Sequence, residues 1–395
     1  MAKIIMHIDL NAFFATCEVL RDPSLKGKPL IVGHEGRSGI VSTCSYEARK
    51  YGVHSGQPTF QALKACPQAI VVPPHFSLYE VYSRSFFSYV RGYSSIIEVA
   101  SIDECYVDMT KAMANVTDPV AYLRKMQFEL KERTGLSCSI GIATTKWAAK
   151  MASDMRKPMG LTILRKRDFP TLLYPLPIES FWGIGKKTAP ALRSLGISNI
   201  GELSAKCEVD DPPLVKLLGK FYATVKEWVA GKGDDVVSTE PWDPKSVGVS
   251  QTLMHDSQGL SEVLPALKEI CAEVSRRAKK EGKIGKGMTL HVKDTAFRLH
   301  SKATSFVEPT DDEEELFQGA TRLYLQHYEE MEVRLVGVTL EKLVTKGREE
   351  VQMSLWNYAK YEEEDKTKLL IADFNRHLKR PALKRLSEIK KEKGQ

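Results

Sequence analysis

An α+β chain of several domains is what this sequence predicts, and three observations carry that reading. At 395 residues the chain is too long for a single core, and about two to four domains are expected. Through the first 165 or so positions, helical segments cross between short apolar runs, the pattern of helices packed on antiparallel strands. From Phe169 onward the helices become short and glycine-punctuated, and strands return only after a Pro/Asp/Lys stretch, "STEPWDPKSVG".

In chain order, "KIIMHID" reads as an apolar strand ending at Asp9, and "AFFATCEVLRDP" as a helix that stops before Pro23. "KPLIVGHEGRSGIVSTCSYEARKYGV" holds two short β runs around a Gly-rich turn, then helix from Tyr46. This stretch belongs to an inserted unit near residues 19–75. "SLYEVYSRSFFSYVRGYS" has helical periodicity, and "IIEVASIDECYVDM" reads as a hairpin with Asp103 and Glu104 at its turn. "PVAYLRKMQFELKERTG" is an amphipathic helix closed by Gly135, and "SCSIGIATT" another strand. "LPIESFWGIGKKTAPALRSLGISNIGEL" is helical with glycine at its turns. The later strands are "VGVSQTLM", "GMTLHVKD", "FRLHSKATSF" and "EVRLVGVTLEKL". Met288, Leu290 and Val292 alternate with Thr289, His291 and Lys293, and Phe297 and Leu299 with Arg298, His300 and Lys302. Each strand is therefore expected to bury its apolar face and turn a basic face to water. The last 40 residues read as helical, charged and peripheral.

Composition excludes several classes. The chain is 43% hydrophobic and 27% charged, an ordinary globular balance, and it lacks the run of about 18 apolar residues that a membrane span needs. The short apolar stretch of "MAKIIMHIDLN" is broken by His7 and Asp9, which is no signal peptide. Seven cysteines without a C-x-x-C pair argue against a disulfide framework or a zinc site. A reduced, cytoplasmic setting is expected. A net charge of +7 points to an anionic partner, and nine Lys/Arg against two acids between Arg276 and Lys302 concentrate it.

The adjacent acids of "EVASIDECYV" need explaining, because like charges side by side repel. Strands of one sheet bring distant ends together, so Asp9 can meet Asp103 and Glu104. Three converging carboxylates require divalent cations, and hard oxygen ligands with room for water and phosphate suit Mg²⁺. Two such ions roughly 4 Å apart serve in-line phosphoryl transfer. By itself the pair also reads as a solvated hairpin turn. Nearby, Tyr46 and Arg49 share a helix face at a spacing of three, and Arg offers a planar fork and Lys157 a point charge for phosphate. Together they describe a triphosphate pocket, although singly each is an ordinary surface group. "GIG" at 183–185, before "KKTAPALRSLGI", suggests a helix-hairpin-helix whose glycines admit a phosphate to the backbone. Alone, that triplet is also a common helix turn.

The segments "HIDLNAFFATCE", "STCSYEARKYGV", "ASIDECYVD", "CSIGIATTKWAAKMASDMRKPMG" and "FWGIGKKTAPALRSLGI", in this order, resemble the Y-family DNA polymerases, nearest to the bacterial DNA polymerase IV type. The resemblance spans roughly residues 3 to 343. It implies a template-directed, low-fidelity translesion polymerase adding dNMP to a primer 3′-hydroxyl, with a right-hand fold. The implied palm is 1–18 and 76–166, the fingers 19–75, the thumb 167–232, the linker 233–245, the little finger 246–343 and the tail 344–395. Asp9, Asp103 and Glu104, with the Leu10 carbonyl, would hold two Mg²⁺ ions. Tyr46, Arg49 and Lys157 match the family's triphosphate ligands. Phe14 matches its steric gate against a ribose 2′-hydroxyl, Phe13 would stack beneath the sugar, and Ile40 and Ser42 fall over the nascent base pair. Without the family, both rings read equally as core.

Gly183 and Gly185 of the thumb and Lys293, Arg298 and Lys302 of the little finger would grip primer-template DNA in a sequence-independent, salt-sensitive way. "QMSLW", with Gln352, Met353, Leu355 and Trp356, resembles the peptide by which bacterial polymerases dock on the sliding clamp. Asn11 departs from relatives that carry an acid there, at a position that is not a metal ligand in the family. A tail of eleven Lys/Arg against seven acids follows the peptide. A monomer is expected. Two other readings stand beside this one, a non-catalytic DNA- and clamp-binding relative and a two-metal nuclease.

Overall fold

Strand β1 (Ile5–Leu10) is buried along its whole length because it runs through the middle of a five-stranded sheet. The computed structural model describes residues 3–347, which divide into two units between Trp242 and Asp243, inside the expected linker. In the first unit β1 leads through Ala12, held left-handed at φ 44°, into helix α1 (Phe13–Arg21). There follow β2 (Leu30–Gly33), β3 (Val41–Cys44), α2 (Tyr46–Arg49), α3 (Thr59–Ala65) and β4 (Ile70–Val72). The three strands make a separate sheet of order β3-β2-β4 over a small core of its own, including Ile31, Val41, Ala48 and Val53. These strands and their helices fall between residues 30 and 72.

The chain returns through α4 (Phe76–Arg91), β5 (Ile97–Val99), β6 (Glu104–Asp108), α5 (Pro119–Thr134), β7 (Cys138–Ala143), α6 (Lys146–Asp154) and β8 (Leu161–Ile163). The strand order is β5-β6-β1-β7-β8. Alternation along β1 sorts its side chains. Met6, Ile8 and Leu10 join the core formed with α1, α4 and α5, while Ile5 joins the one formed with α6. His7 and Asp9 therefore share the α6 side. Helix α5 begins at Asp118, whose carboxylate accepts from Val120 and Ala121 N–H, and ends at Gly135 with φ 75°, as capping chemistry dictates. Four short helices complete the unit: α7 (Thr188–Ser194), α8 (Ile200–Glu208), α9 (Pro212–Leu218) and α10 (Phe221–Val229).

Glycine is required at one place in this sheet. A Cβ on Gly141 of β7 would lie 2.1 Å from the Ala149 carbonyl oxygen and 2.3 Å from the Ser153 nitrogen, both backbone atoms of α6. The missing side chain lets α6 settle directly on the sheet. Gly141→Ala should destabilise this unit by about 2–3 kcal/mol, the scale of an overpacked core. Chemical denaturation checks this, and an unchanged midpoint would mean that α6 is not held so close.

The second unit contains β9 (Ser246–Ser257), α11 (Leu260–Lys280), β10 (Lys283–Asp294), β11 (Leu299–Thr310), α12 (Glu313–His327) and β12 (Val333–Thr345). Its antiparallel sheet has the order β11-β10-β12-β9, and Leu267, Ile270, Val274, Leu316 and Tyr324 of the helices cover Met288, Leu290, Val292, Val336 and Val338. Two corrections arise here. Phe297 and Leu299 are not buried but 64% and 62% exposed, because Phe297 lies in the turn before β11, its ring under the Arg334 guanidinium at 4.6 Å, and Leu299 opens the edge strand opposite Lys293. Nor do Lys293 and Lys302 share a basic face. Lys302 stands opposite buried Leu290 and Lys293 opposite Leu299, and positions 290 and 293, an odd number of residues apart on β10, put the two lysines on opposite sides of the sheet. The basic cluster is divided further, since Arg276 and Arg277 pair with Glu273 on α11 and Lys283 with Asp243. All seven cysteines are buried and unpaired. The clamp-like peptide and the basic tail lie outside the described residues.

Candidate active site

Asp9 and Glu104 are register partners on adjacent strands β1 and β6, so both carboxylates leave the same side of the sheet, toward α6. That helix is capped by Thr145, which accepts from the Ala148 N–H, and it presents Lys150 to the acids. The Lys150 ammonium donates to Glu104 Oε2 at 2.8 Å and to Asp9 Oδ2 at 3.1 Å. Asp154, one turn later, lies 3.5 Å from the same nitrogen. Lys157 stands 2.8 Å from Asp9 and 2.7 Å from Asp154. Behind them His7 is wholly buried, with Nδ1 at 2.8 Å from Ser153 Oγ and Nε2 at 3.4 Å from Glu104.

Burial alone would raise Glu104, but the His7 contact and the Lys150 charge hold its carboxyl well below the usual range. Burial would likewise lower Lys150, and Asp9, Asp154 and Glu104 raise it instead. Asp103 behaves differently. Burial, and then the charges of Asp9 and Glu104, push its carboxyl up, and its Oδ1 accepts from Ser101 Oγ at 2.5 Å. The loop backbone ties it down as well, with Leu10 N–H donating to the Asp103 carbonyl at 3.0 Å.

These acids open onto a cavity of about 250 Å³ lined by Asp9, Leu10, Phe13, Phe14, Ser42, Thr43, Tyr46, Arg49, Ser55, Asp103 and Lys157. Ser45 caps α2 through the Ala48 N–H and thereby fixes Tyr46 and Arg49 side by side, the guanidinium 4.7 Å over the ring. The Tyr46 hydroxyl is buried without a hydrogen-bond partner in the protein. A buried hydroxyl costs free energy unless satisfied, and beside Arg49 and Lys157 an anionic oxygen is the natural partner. Phe13 is buried at the start of α1, and Phe14 lies flat on Tyr79, centroids 4.3 Å apart and planes at 12°.

The fold thus gathers Asp9, Leu10, Phe13, Phe14, Ser42, Tyr46, Arg49, Asp103 and Lys157 around one cavity, with Glu104 reaching Asp9 through Lys150. Ile40 is not in this wall. It bridges to Pro58 and is 47% exposed. Among the described residues no group of three His, Cys, Asp or Glu side chains stands close enough to hold a metal ion, and the Asp103 carboxylate accepts from Ser101 instead. The donor set still suits a hard divalent cation, since Asp9 and Glu104 already share the positive charge of Lys150 and Asp103 is adjacent. Asn11 is structural, donating to Ser139 Oγ at 2.8 Å and accepting from Met159 N–H at 2.9 Å.

Sequence reasoning missed Lys150, His7 and Asp154. Their signal was present in "KMASDMRK", where Lys150, Asp154 and Lys157 repeat at helical spacing. Lys150→Met should lower stability by about 3 kcal/mol in chelator, the scale of an unpaired buried charge, and Mg²⁺ should restore most of it through binding linkage. Thermal melts with and without the cation read this, and an equal loss in both would show that Lys150 does not neutralise the acids.

In the turn before α7 Gly183 has φ 103°, and a Cβ there would meet the Phe221 ring at 2.8 Å, whereas Gly185 faces open space. Packing thus demands the first glycine and leaves the second accessible.

Three family profiles match the chain. They are the impB/mucB/samB family over residues 8–154, the IMS family HHH motif over 166–197, and the impB/mucB/samB family C-terminal domain over 244–355. DNA polymerase IV 1 of Bacillus subtilis (strain 168) is 37% identical over 396 residues, covering 100% of this chain and 95% of its own. DNA polymerase IV of Oceanobacillus iheyensis is 38% identical over 372 residues, 93% of this chain and 88% of its own. Among solved structures, the Y-family DNA polymerase chimera Dbh-Dpo4(243-245)-Dbh is similar with a TM-score of 0.76 and 30% identity, over 87% of this chain and 100% of the chimera. The insertion ternary complex of Dbh DNA polymerase is similar with a TM-score of 0.58 and 29% identity, over the same shares, 87% and 100%.

Proposed function

Because the chain belongs to the impB/mucB/samB family and is a DNA polymerase IV-like, Y-family translesion DNA polymerase, we propose that Asp9, Asp103, Glu104 and the Leu10 carbonyl carry its chemistry by holding two Mg²⁺ ions. The family uses divalent metal, and Mg²⁺ suits these oxygen donors best. When bound, such ions polarise the primer 3′-hydroxyl and the α-phosphate and offset charge on the leaving pyrophosphate.

The observation that carries this reading is Asp9, paired with Glu104 around one ammonium, lining with Asp103 a cavity also walled by Tyr46, Arg49 and Lys157. The protein's part is positioning and charge. Arg49 grips the triphosphate with its fork, Lys157 exchanges its carboxylates for phosphate, and the unpartnered Tyr46 hydroxyl donates to it. Phe14 stands where a 2′-hydroxyl would collide, Phe13 supports the sugar, and Ser42 with the rim residue Ile40 covers the nascent pair. A non-catalytic role has no use for this assembly.

By the same reading, 1–18 with 76–166 is the palm, 19–75 the fingers, 167–232 the thumb, 233–245 the linker and 246–343 the little finger. Gly185, Lys293, Arg298 and Lys302 contact DNA phosphates, and Gly183 shapes the hairpin that presents Gly185. Gln352, Met353, Leu355 and Trp356, in the tail 344–395, dock on the sliding clamp. The enzyme works as a cytoplasmic monomer. Primer extension on a defined template with single dNTPs tests the whole. Templated addition that stops with chelator and returns with Mg²⁺ is expected. Binding of primer-template without any addition would overturn it.

A further inference from the structure

The Phe14 ring rests on a polar anchor that lies outside the cavity. Phe14 and Glu18 are four residues apart on α1, so they share one face. Phe14 stacks on Tyr79, and Phe76 closes the cluster edge-on to both rings at 5.9 and 5.8 Å. Tyr79 is fully buried, so its hydroxyl needs a partner inside the protein. That partner is the Glu18 carboxylate, which accepts from Tyr79 Oη at 2.5 Å. Glu18 is itself fully buried. It also stands 2.9 Å from His75 Nδ1 and accepts from Arg21 Nε at 2.9 Å.

We propose that Glu18 is a positioning residue for sugar selection. It fixes the Tyr79 ring, which fixes the plane of the Phe14 ring, and so sets how closely a nucleotide's 2′ carbon is approached. This rests on the reading of Phe14 as the gate. The argument is geometric. A ring stacked on a neighbour copies that neighbour's tilt, and the Tyr79 tilt is set at its far end by one short charge-assisted bond. The ionised carboxylate accepts at both oxygens, Oε1 from Tyr79 with His75 alongside and Oε2 from Arg21. An amide of the same shape would turn one of these acceptors into a donor. Glu18→Gln therefore fills the same volume but leaves Tyr79 a neutral hydrogen bond in place of the charge-assisted one, whichever way the amide turns. The consequence falls on sugar choice, because the triphosphate ligands Tyr46, Arg49 and Lys157 sit on other elements.

The test compares kcat/KM for a dNTP and the matching rNTP in wild type, Glu18→Gln, Tyr79→Phe, the double variant and Phe14→Ala. Glu18→Gln should lower deoxyribose preference about tenfold, the cost of a displacement well under 1 Å at a reacting centre. The loss should come from faster rNTP use, with dNTP efficiency held within about threefold. Tyr79→Phe should reproduce it, and the double variant should add nothing more, since the two act as one unit. Equal losses for both sugars, or additive effects of the two variants, would overturn the proposal and leave Glu18 as a packing residue. If Phe14→Ala fails to admit ribonucleotides, the gate reading falls first and this proposal with it. If Phe14→Ala admits them and Glu18→Gln does not, only the role of Glu18 is lost.

Discussion

Replacing Asp103 and Glu104 together by alanine should abolish nucleotide addition, with a loss of at least about 10⁴-fold in the chemical step, or about 5.5 kcal/mol. The magnitude follows from what remains. Asp9 alone faces two cations, Lys150 and Lys157, and no longer offers the anionic charge needed to collect divalent metal. Primer-template binding should survive, because both changes remove negative charge and leave every Lys and Arg in place. The single variants should separate. Glu104→Ala removes the carboxylate beside buried His7 and one acceptor of Lys150, which keeps Asp9, and should cost about 1–3 kcal/mol of stability, the scale of a lost buried hydrogen-bond partner. Asp103→Ala removes a carboxylate already raised by burial and by its two neighbours, so the fold should tolerate it. Single-turnover extension beside DNA-binding anisotropy and thermal melts reads all three quantities. A double variant retaining a tenth of the wild-type rate would remove these acids from the chemistry.

Phe14→Ala should raise ribonucleotide incorporation about 10²-fold relative to deoxyribonucleotide. A pocket without a blocking ring cannot strongly reject a substrate that merely adds a hydroxyl. The ring is only partly buried and is held by stacking on Tyr79, so its loss should cost about 1–2 kcal/mol of stability on the scale of aromatic pairs and partial burial. Efficiency with each sugar, measured on one template, decides it. Unchanged discrimination would move the gate to another residue.

Much of this was legible in the chain because local rules and tertiary needs agree. β1 and β7 are apolar runs buried throughout, and α5 carries its own start and stop at Asp118 and Gly135. Asp9 could be matched to Asp103 and Glu104 since strand ends meet in a sheet. What failed needed knowledge of neighbours. The face of α6 that meets the acids depends on the Gly141 contact, which no periodicity reveals, so Lys150 went unremarked. Alternation in "FRLHSK" looked amphipathic, yet which strand lies at an edge is decided by pairing. Helix α11 had its apolar spacing in plain view, at Val263, Leu267, Ile270 and Val274, but it was read only for its charges. The Ser101 hydroxyl that holds Asp103 aside is a short-range loop contact, outside any motif.

The seven buried cysteines bear on how this enzyme withstands oxidants. Burial pushes the Cys17 and Cys271 thiols up to about 12 and Cys207 to about 11, and it raises Cys44, Cys66, Cys105 and Cys138 as well. Thiolate, the form attacked by peroxides and alkylating agents, is therefore scarce at neutral pH. Agents that lesion a DNA template therefore find few reactive thiols on the folded polymerase. The same silence makes the native chain a clean background for maleimide dyes. A single cysteine installed on the surface would take up the label alone.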